Sequence, residues 1–413
     1  MDVRLRQFVG VWFGVLATLF AFGVLFDAVI DPYCVFGMPR IPSFNARKPA
    51  VDTQERLMKA YDVLRIKPHA LILGSSRADV GLDALDSAWP DISRPVYNLG
   101  FSGGSPYIAY RYLQHVMSSQ HLESVVMGLE FEYFLIDPDD REWDPESESR
   151  LAVMRDGSTN FNWRHQYFRD VLQATFSLSA LTDSVATLTA NLGRESSNMV
   201  AGNWDSDLYR HVASEAGSLP LVAMNDIEYS RWFQGKQGNP LAMKDVQRII
   251  LLCESHHTRL ILFISPSRAD QLEILDLAGL WKQFESWKRD LLELTATYPE
   301  RDLHGEIALW DFSGYDPYST EMVRTDRGIL KWFWEPSHYT HALGDLIIRR
   351  IFGTGGQEFG TLLSLENIDE HLIDIRKQQR LYREHHEVDV RRLRDLYHLV
   401  ADDGQSRAIS TIQ

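Results

Sequence analysis

Cysteine is nearly absent. The two that occur in 413 residues, Cys34 and Cys253, form no C-x-x-C pair, which excludes zinc-ribbon and thioredoxin-type chemistry. No disulfide between them is indicated. Cys253 falls in an apolar helical pattern with Val246, Ile249 and Ile250, where a small buried thiol is expected. Positive charge is also short, and the net charge is −15. Affinity for nucleic acid rests on Lys and Arg, so no nucleic-acid partner is expected and the acidity reads as solubility. Neither a Walker nor a dinucleotide-binding glycine pattern is present, so no nucleotide cofactor is implied. The pairs His256-His257 and His385-His386 point to different helix faces, which argues against a shared metal. Long apolar runs are missing too, with one exception near the amino terminus.

That exception is residues 8–26, which carry no charge. At 1.5 Å per residue the run nearly crosses a hydrocarbon core of about 30 Å, and Ala28 to Ile30 extend it. Arg4 and Arg6 precede it; Asp27 and Asp31 follow. The excess of positive charge before the span puts the amino terminus in the cytoplasm and the rest of the chain across the membrane. A cleaved signal peptide is the competing reading. No small-x-small site follows the run directly, so an uncleaved single-pass anchor through residues 8–30 is expected.

An apolar content of 45% suffices for a sizeable core, and the length suits one main domain with additions. Residues 1–31 read as cytoplasmic tip and anchor, and 32–50, rich in proline and aromatics, as a juxtamembrane linker. From 51 to 352 short apolar runs alternate with helical patterns. Strands are expected at Ala70–Leu73, Val96–Leu99, Ser124–Leu129, Arg259–Ile264 and Ile307–Trp310, with helices over 52–65, 106–117, 241–255, 270–296 and 342–351. This alternation predicts an α/β fold, a three-layer α/β/α (flavodoxin-like) sheet of about five parallel strands. Residues 133–240 interrupt the pattern and read as a large insertion over one end of the sheet, with a helix near 165–190. Residues 353–413 form a helical extension dense in charge, which would pack back on the domain or bind a partner.

The residues at the strand ends carry the chemistry. Gly74-Ser75-Ser76-Arg77 follows the first strand, Asn98-Leu99-Gly100 with Gly103 follows the second, and Glu335-Pro336-Ser337-His338 precedes the last core helix. In order and context these resemble the SGNH (GDSL-type) hydrolase and acyltransferase superfamily, and more closely its membrane-anchored bacterial branch, which includes alginate O-acetylation proteins. The resemblance spans about residues 51–352 and leaves 133–240 and 363–413 unaccounted for. It implies Ser76 as nucleophile, His338 as general base and Glu335, in place of the usual aspartate, as its orienting acid. Oxyanion donors would be the backbone N–H groups of Ser76 and of Gly100, with Gly103 as the less favoured alternative. Arg77 would add charge near the site or hold the turn. The block-three Gly-x-Asn-Asp is not kept: Gly128-Leu129-Glu130-Phe131 stands there, putting Glu130 where an oxyanion-binding asparagine belongs. A carboxylate donates no hydrogen bond unless protonated.

Asp311, at a strand end, is a rival to Glu335, and Ser265-Pro266-Ser267-Arg268 lies at the same sheet edge. Trp332-Phe333-Trp334 reads as core, with a sugar platform as the alternative. The resemblance implies a serine-dependent acyl ester hydrolase or O-acetyltransferase in the bacterial inner membrane, facing the periplasm. Its substrate would be an envelope or exported glycan, with a membrane-bound acyltransferase as partner and no metal or other cofactor. A catalytically inactive scaffold or glycan-binding protein is the second reading, and Glu130 favours it.

Overall fold

The computed structural model describes residues 3–135, 145–192, 213–215, 217–238, 240–298, 307–323, 328–356 and 358–412. Along the chain run α1 (Val3–Ile30), α2 (Val51–Ile66), β1 (Ala70–Gly74), α3 (Ser76–Gly81), β2 (Val96–Gly100), α4 (Pro106–Met117) and β3 (Ser124–Leu129). Then come α5 (Pro145–Ser149), α6 (Trp163–Phe176), α7 (Leu178–Asn191), α8 (Ser218–Trp232), α9 (Pro240–Ser255), β4 (Arg259–Ile264), α10 (Ala269–Leu277) and α11 (Trp281–Ala296). The chain closes with β5 (Ile307–Asp311), α12 (His341–Ile351), β6 (Thr361–Leu362), α13 (Ile368–His385) and α14 (Glu387–Ile412). By internal contacts it divides into two compact units, Met1–Lys67 with Trp143–Val200, and Pro68–Glu142 with Ala201–Gln413. Residues 51–67 and 145–192 thus group with the amino-terminal helix, whereas the sequence alone assigned them to the α/β domain.

The first unit is helical. The segment Arg4–Ile30 of α1 is long and apolar enough to cross a membrane. Its carboxyl end is capped by a cation: Lys48 Nζ, almost wholly buried, donates to Ile30 O at 2.9 Å and to Asp31 O at 2.5 Å. A helix leaves its last carbonyls unpaired, and an ammonium there also meets the negative end of the helix dipole. The Asp31 carboxylate accepts the N–H groups of Phe36 and Met38. The supposed linker 32–50 is therefore an ordered cap. The helix expected near 165–190 is two helices, α6 and α7. They break at Ser177, whose Oγ accepts the Ala180 N–H at 3.0 Å and so caps α7. Ala174 and Ala180 pack with Tyr33, Val35, Leu57 and Tyr61.

The second unit carries a mixed, mostly parallel sheet of six strands in the order β2-β1-β3-β4-β5-β6. The first five are parallel to their neighbours; β6, two residues long, pairs antiparallel with β5. An all-parallel sheet was expected, and a two-residue edge strand is too short to leave any periodicity. Strands β1 to β3 are buried along their whole length, which is why they read as continuous apolar runs. From β1 the chain crosses to β2 on one side, then returns to β3 on the other. The carboxyl end of β1 therefore lies at a topological switch point, where α/β sheets open a crevice.

Helix α12 closes tightly on α3: a Cβ built on Gly344 would fall 1.8 Å from Gly81 O, so no other residue fits this crossing. The contact sets the segment before α12 beside the start of α3. The carboxyl-terminal extension, expected as one long helix, breaks at His386 into α13 and α14. It packs back on the sheet unit through Arg376–Glu285, Arg383–Glu273 and Arg392–Asp226.

Candidate active site

Strand β1 ends at Gly74, whose φ of +145° lies outside the range open to side-chain-bearing residues. The chain turns there into α3. Ser75 is its N-cap, accepting the Arg77 N–H at 3.1 Å. Ser76 is thereby held at the first helical position with its hydroxyl outward.

The partner loop is a narrow hairpin. Phe333 and Tyr339 form an antiparallel bridge, flanked by Trp334 N–H to His338 O and Thr340 N–H to Trp332 O, both 2.9 Å. Within it the Glu335 carboxylate, 4% exposed, accepts from Ser337 N–H at 2.7 Å, from His338 N–H at 3.0 Å and from Ser337 Oγ at 2.8 Å. It also pairs with His338 Nδ1. Burial pushes the Glu335 carboxyl up. The His338 charge and these hydrogen bonds outweigh burial and hold it below the usual range. Arg268 N–H donates to Pro336 O at 3.0 Å, fastening the hairpin to the turn after β4.

The two ends of the site meet. His338 Nε2 lies 2.7 Å from Ser76 Oγ, across 262 residues of sequence. With a proton on Nδ1 held by Glu335, Nε2 is the acceptor facing the serine. The order serine–imidazole–carboxylate is that of a nucleophilic triad, recognised by geometry and roles.

A cavity of about 290 Å³ opens on this serine. Ser75, Ser76, Gly103, Glu130 and His338 line it, with Tyr229 and Trp232 from α8 on a further wall. The two glycines proposed from sequence separate here. Gly100 is fully buried in β2, and its N–H donates to Asn98 Oδ1 at 2.9 Å. Asn98 in turn donates to the carbonyls of Ala78 and Leu82, tying α3 to β2. The Asn-Leu-Gly motif is thus occupied in holding α3, and Gly103 is the glycine at the cavity. Neither Ser76 nor Gly103 N–H has a hydrogen-bond partner among the described residues, which leaves both available to an incoming oxygen.

Arg77 lines the same cavity and is held in a polar cluster. It pairs with Glu132 and donates to Ser267 Oγ at 3.1 Å. Both roles considered for it remain consistent with this placement: its contacts hold the turn, and its side chain borders the cavity. Glu130, 4% exposed, accepts from Ser265 Oγ at 2.9 Å. Burial pushes its carboxyl up, against the Arg77 charge and the hydroxyls of Ser265 and Ser75; a carboxyl so raised favours the neutral acid. The Ser265–Arg268 turn therefore supports Glu130, Arg77 and the hairpin from behind.

Asp311 is not at this site. Its carboxylate is engaged by Lys288 Nζ at 2.7 Å, His371 Nε2 at 2.9 Å and Ser313. Phe333 is buried in the core, Trp334 packs on Val80, Ala213 and Leu221, and Trp332 meets Tyr318 edge-on. The aromatic run is therefore core rather than platform. Glu132, Tyr229 and Trp232 were missed in the sequence. The i, i+3 spacing of Tyr229 and Trp232 was visible but lay in a stretch without regular alternation. Among the described residues no three His, Cys, Asp or Glu side chains are grouped to hold a metal. No protein-family model matches the chain, and no curated protein is significantly similar to it.

Proposed function

We propose that the chain is a serine-dependent acyl ester hydrolase or O-acyltransferase of the SGNH type, with Ser76, His338 and Glu335 as its triad. The observation that carries this reading is the 2.7 Å contact between His338 Nε2 and Ser76 Oγ, with Nδ1 paired to a buried Glu335. The strand order 2-1-3-4-5, that of flavodoxin-like sheets, and the serine at the end of β1 favour it as well. In the reaction Ser76 Oγ attacks the acyl carbonyl while His338 Nε2 takes its proton. The N–H groups of Ser76 and Gly103 receive the oxyanion. The imidazolium returns the proton to the leaving alkoxide, and water or a sugar hydroxyl then takes the acyl group. The charge pattern around residues 4–31 supports an inner-membrane anchor with this domain in the periplasm, and hence an envelope or exported glycan as acceptor and a membrane-bound acyltransferase as acyl donor.

A fluorophosphonate probe tests the reading on the full chain in detergent. Ser76 Oγ displaces fluoride from phosphorus and its proton passes to His338. One adduct on the Ser76 peptide is expected, lost in His338→Ala. A wild-type chain that takes no adduct and turns over no acyl ester would sink the enzyme and leave the scaffold.

Glu130 favours the scaffold reading only while ionised, since a carboxylate beside an oxyanion repels it. Burial holds it towards the neutral acid, which has an O–H to donate, as an asparagine has its N–H. The sign follows from the raised pKa: the donor is present at low pH, and turnover falls as pH rises through the Glu130 value. Glu130→Gln is expected to abolish that fall, and Glu130→Ala to lower turnover by about 10²–10³-fold. A pH–rate profile of the two variants checks both, and an unchanged alkaline limb in Glu130→Gln would remove Glu130 from the oxyanion site.

A further inference from the structure

The hairpin formed by α6 and α7 runs alongside α1 and leaves an apolar tip uncovered. Phe176, the last residue of α6, stacks on Phe20 of α1 with ring centroids 5.6 Å apart. Phe20 lies ten residues before the end of α1, about 15 Å along the axis. From that depth α7 climbs back along the anchor. Tyr33, just past α1, donates to Asp183 at 2.6 Å, and Asn191, at the end of α7, accepts from Arg47 N–H at 2.9 Å.

The tip has the composition of a lipid-facing surface. Twelve residues, Val171 to Thr182, carry no charge. Leu178 is 77% exposed and Phe176 51%, with Leu172 and Leu181 beside them. Thr175 and Thr182 donate their hydroxyls to Val171 O and Ser179 O in their own helices, as backbone-bonded hydroxyls must where water is absent. Charge returns at Asp170, which is paired with Arg150, and at Asp183, and the amino-terminal half of α6 carries Arg164 and Arg169 together with Trp163 and Tyr167. Basic and aromatic residues of this kind sit at the headgroup level.

We infer that α6 and α7 form a helical hairpin whose tip dips into the bilayer beside the carboxyl-terminal half of α1, reaching the depth of Phe20. The occupant of its open face is lipid acyl chain. The inference rests on reading α1 as a membrane span, and the test keeps the two apart. Nitroxide labels are placed at Leu178→Cys, at Phe13→Cys in α1 and at Glu254→Cys, an exposed residue of the sheet unit. The full chain is then set in phosphatidylethanolamine/phosphatidylglycerol nanodiscs. Cys34 and Cys253 are buried, which directs labelling to the introduced thiols. Collision with oxygen, which partitions into lipid, is compared with collision with a water-soluble nickel chelate. The label at 178 is expected to show an oxygen-to-nickel ratio several-fold above that at 254 and close to that at 13. If 13 behaves as lipid-immersed and 178 as aqueous, the hairpin proposal fails while the anchor stands. If both are aqueous, the anchor reading fails with it. A label at 178 shielded from both reagents would also overturn the proposal, in favour of a protein cover.

Discussion

If Ser76 is the proposed nucleophile, Ser76→Ala is expected to lower kcat for an aryl acetate by about 10⁴–10⁶-fold in the full chain and to leave KM within a small factor. The substitution removes one oxygen at a partly exposed helix start and one hydrogen bond to His338. Neither the Ser75 cap nor the Glu335 network depends on that oxygen, so the urea midpoint is expected to stay put. His338→Ala should cost a similar factor, and the double variant no more than either alone, because groups that act as one unit are not additive. Residual hydrolysis would come from the oxyanion donors and binding. Turnover in Ser76→Ala within tenfold of wild type would exclude Ser76 as nucleophile, whatever its distance from the imidazole.

Lys288→Met is expected to cost about 3–5 kcal/mol of stability. Lys288 and Asp311 are both wholly buried and lie 2.7 Å apart. Lys288 also donates to Ser313 Oγ at 2.7 Å and lies over the Phe284 ring. Burial pushes the Asp311 carboxyl up, but the Lys288 charge and the contact with His371 outweigh it and hold the group well below the usual carboxylate range. Its contribution is therefore present above the ordinary aspartate pKa and is lost as pH falls through the lowered value. Removing the ammonium leaves the buried carboxylate with His371 and Ser313 as its remaining side-chain partners. Lys288→Met/Asp311→Leu takes out both charges and should recover part of the loss, giving a coupling of at least about 1 kcal/mol. Urea unfolding of the four chains measures it, and a double variant as unstable as the sum of the singles would show the pair to be uncoupled.

The legible part of the fold was the part where periodicity and burial agree. The five parallel strands could be read within a residue of their ends because both faces are covered and the apolar runs are unbroken. Helices α2, α4, α9 and α12 were equally plain. What escaped were breaks rather than elements. Single helices were expected over 165–190 and 270–296 and a helical extension over 353–413, yet Ser177, the turn at Gly279 and His386 divide them. A single polar or glycine residue inside an amphipathic pattern does not lower the periodicity, although it ends the hydrogen-bond ladder. At the site, Ser76, Glu335 and His338 were named from the resemblance of their motifs, which stand at strand and helix ends, and the structure brings the three together. Gly100 was preferred to Gly103, yet its N–H is given to Asn98 and Gly103 is the one at the cavity, a difference that turns on where one amide points. Glu132 and Tyr229 were invisible for a similar reason: their partner Arg77 is 55 and 152 positions away.

A hydroxyl and an imidazole set 262 positions apart have a temporal consequence. A nascent chain that has only reached residue 330 already holds β1 and Ser76 but has no base to activate it. On the proposed mechanism, products terminated before His338 would be inert towards acyl groups, whichever side of the membrane they reach. On that mechanism competence waits for the hairpin bearing His338, which is made only when about three quarters of the sheet unit has already emerged.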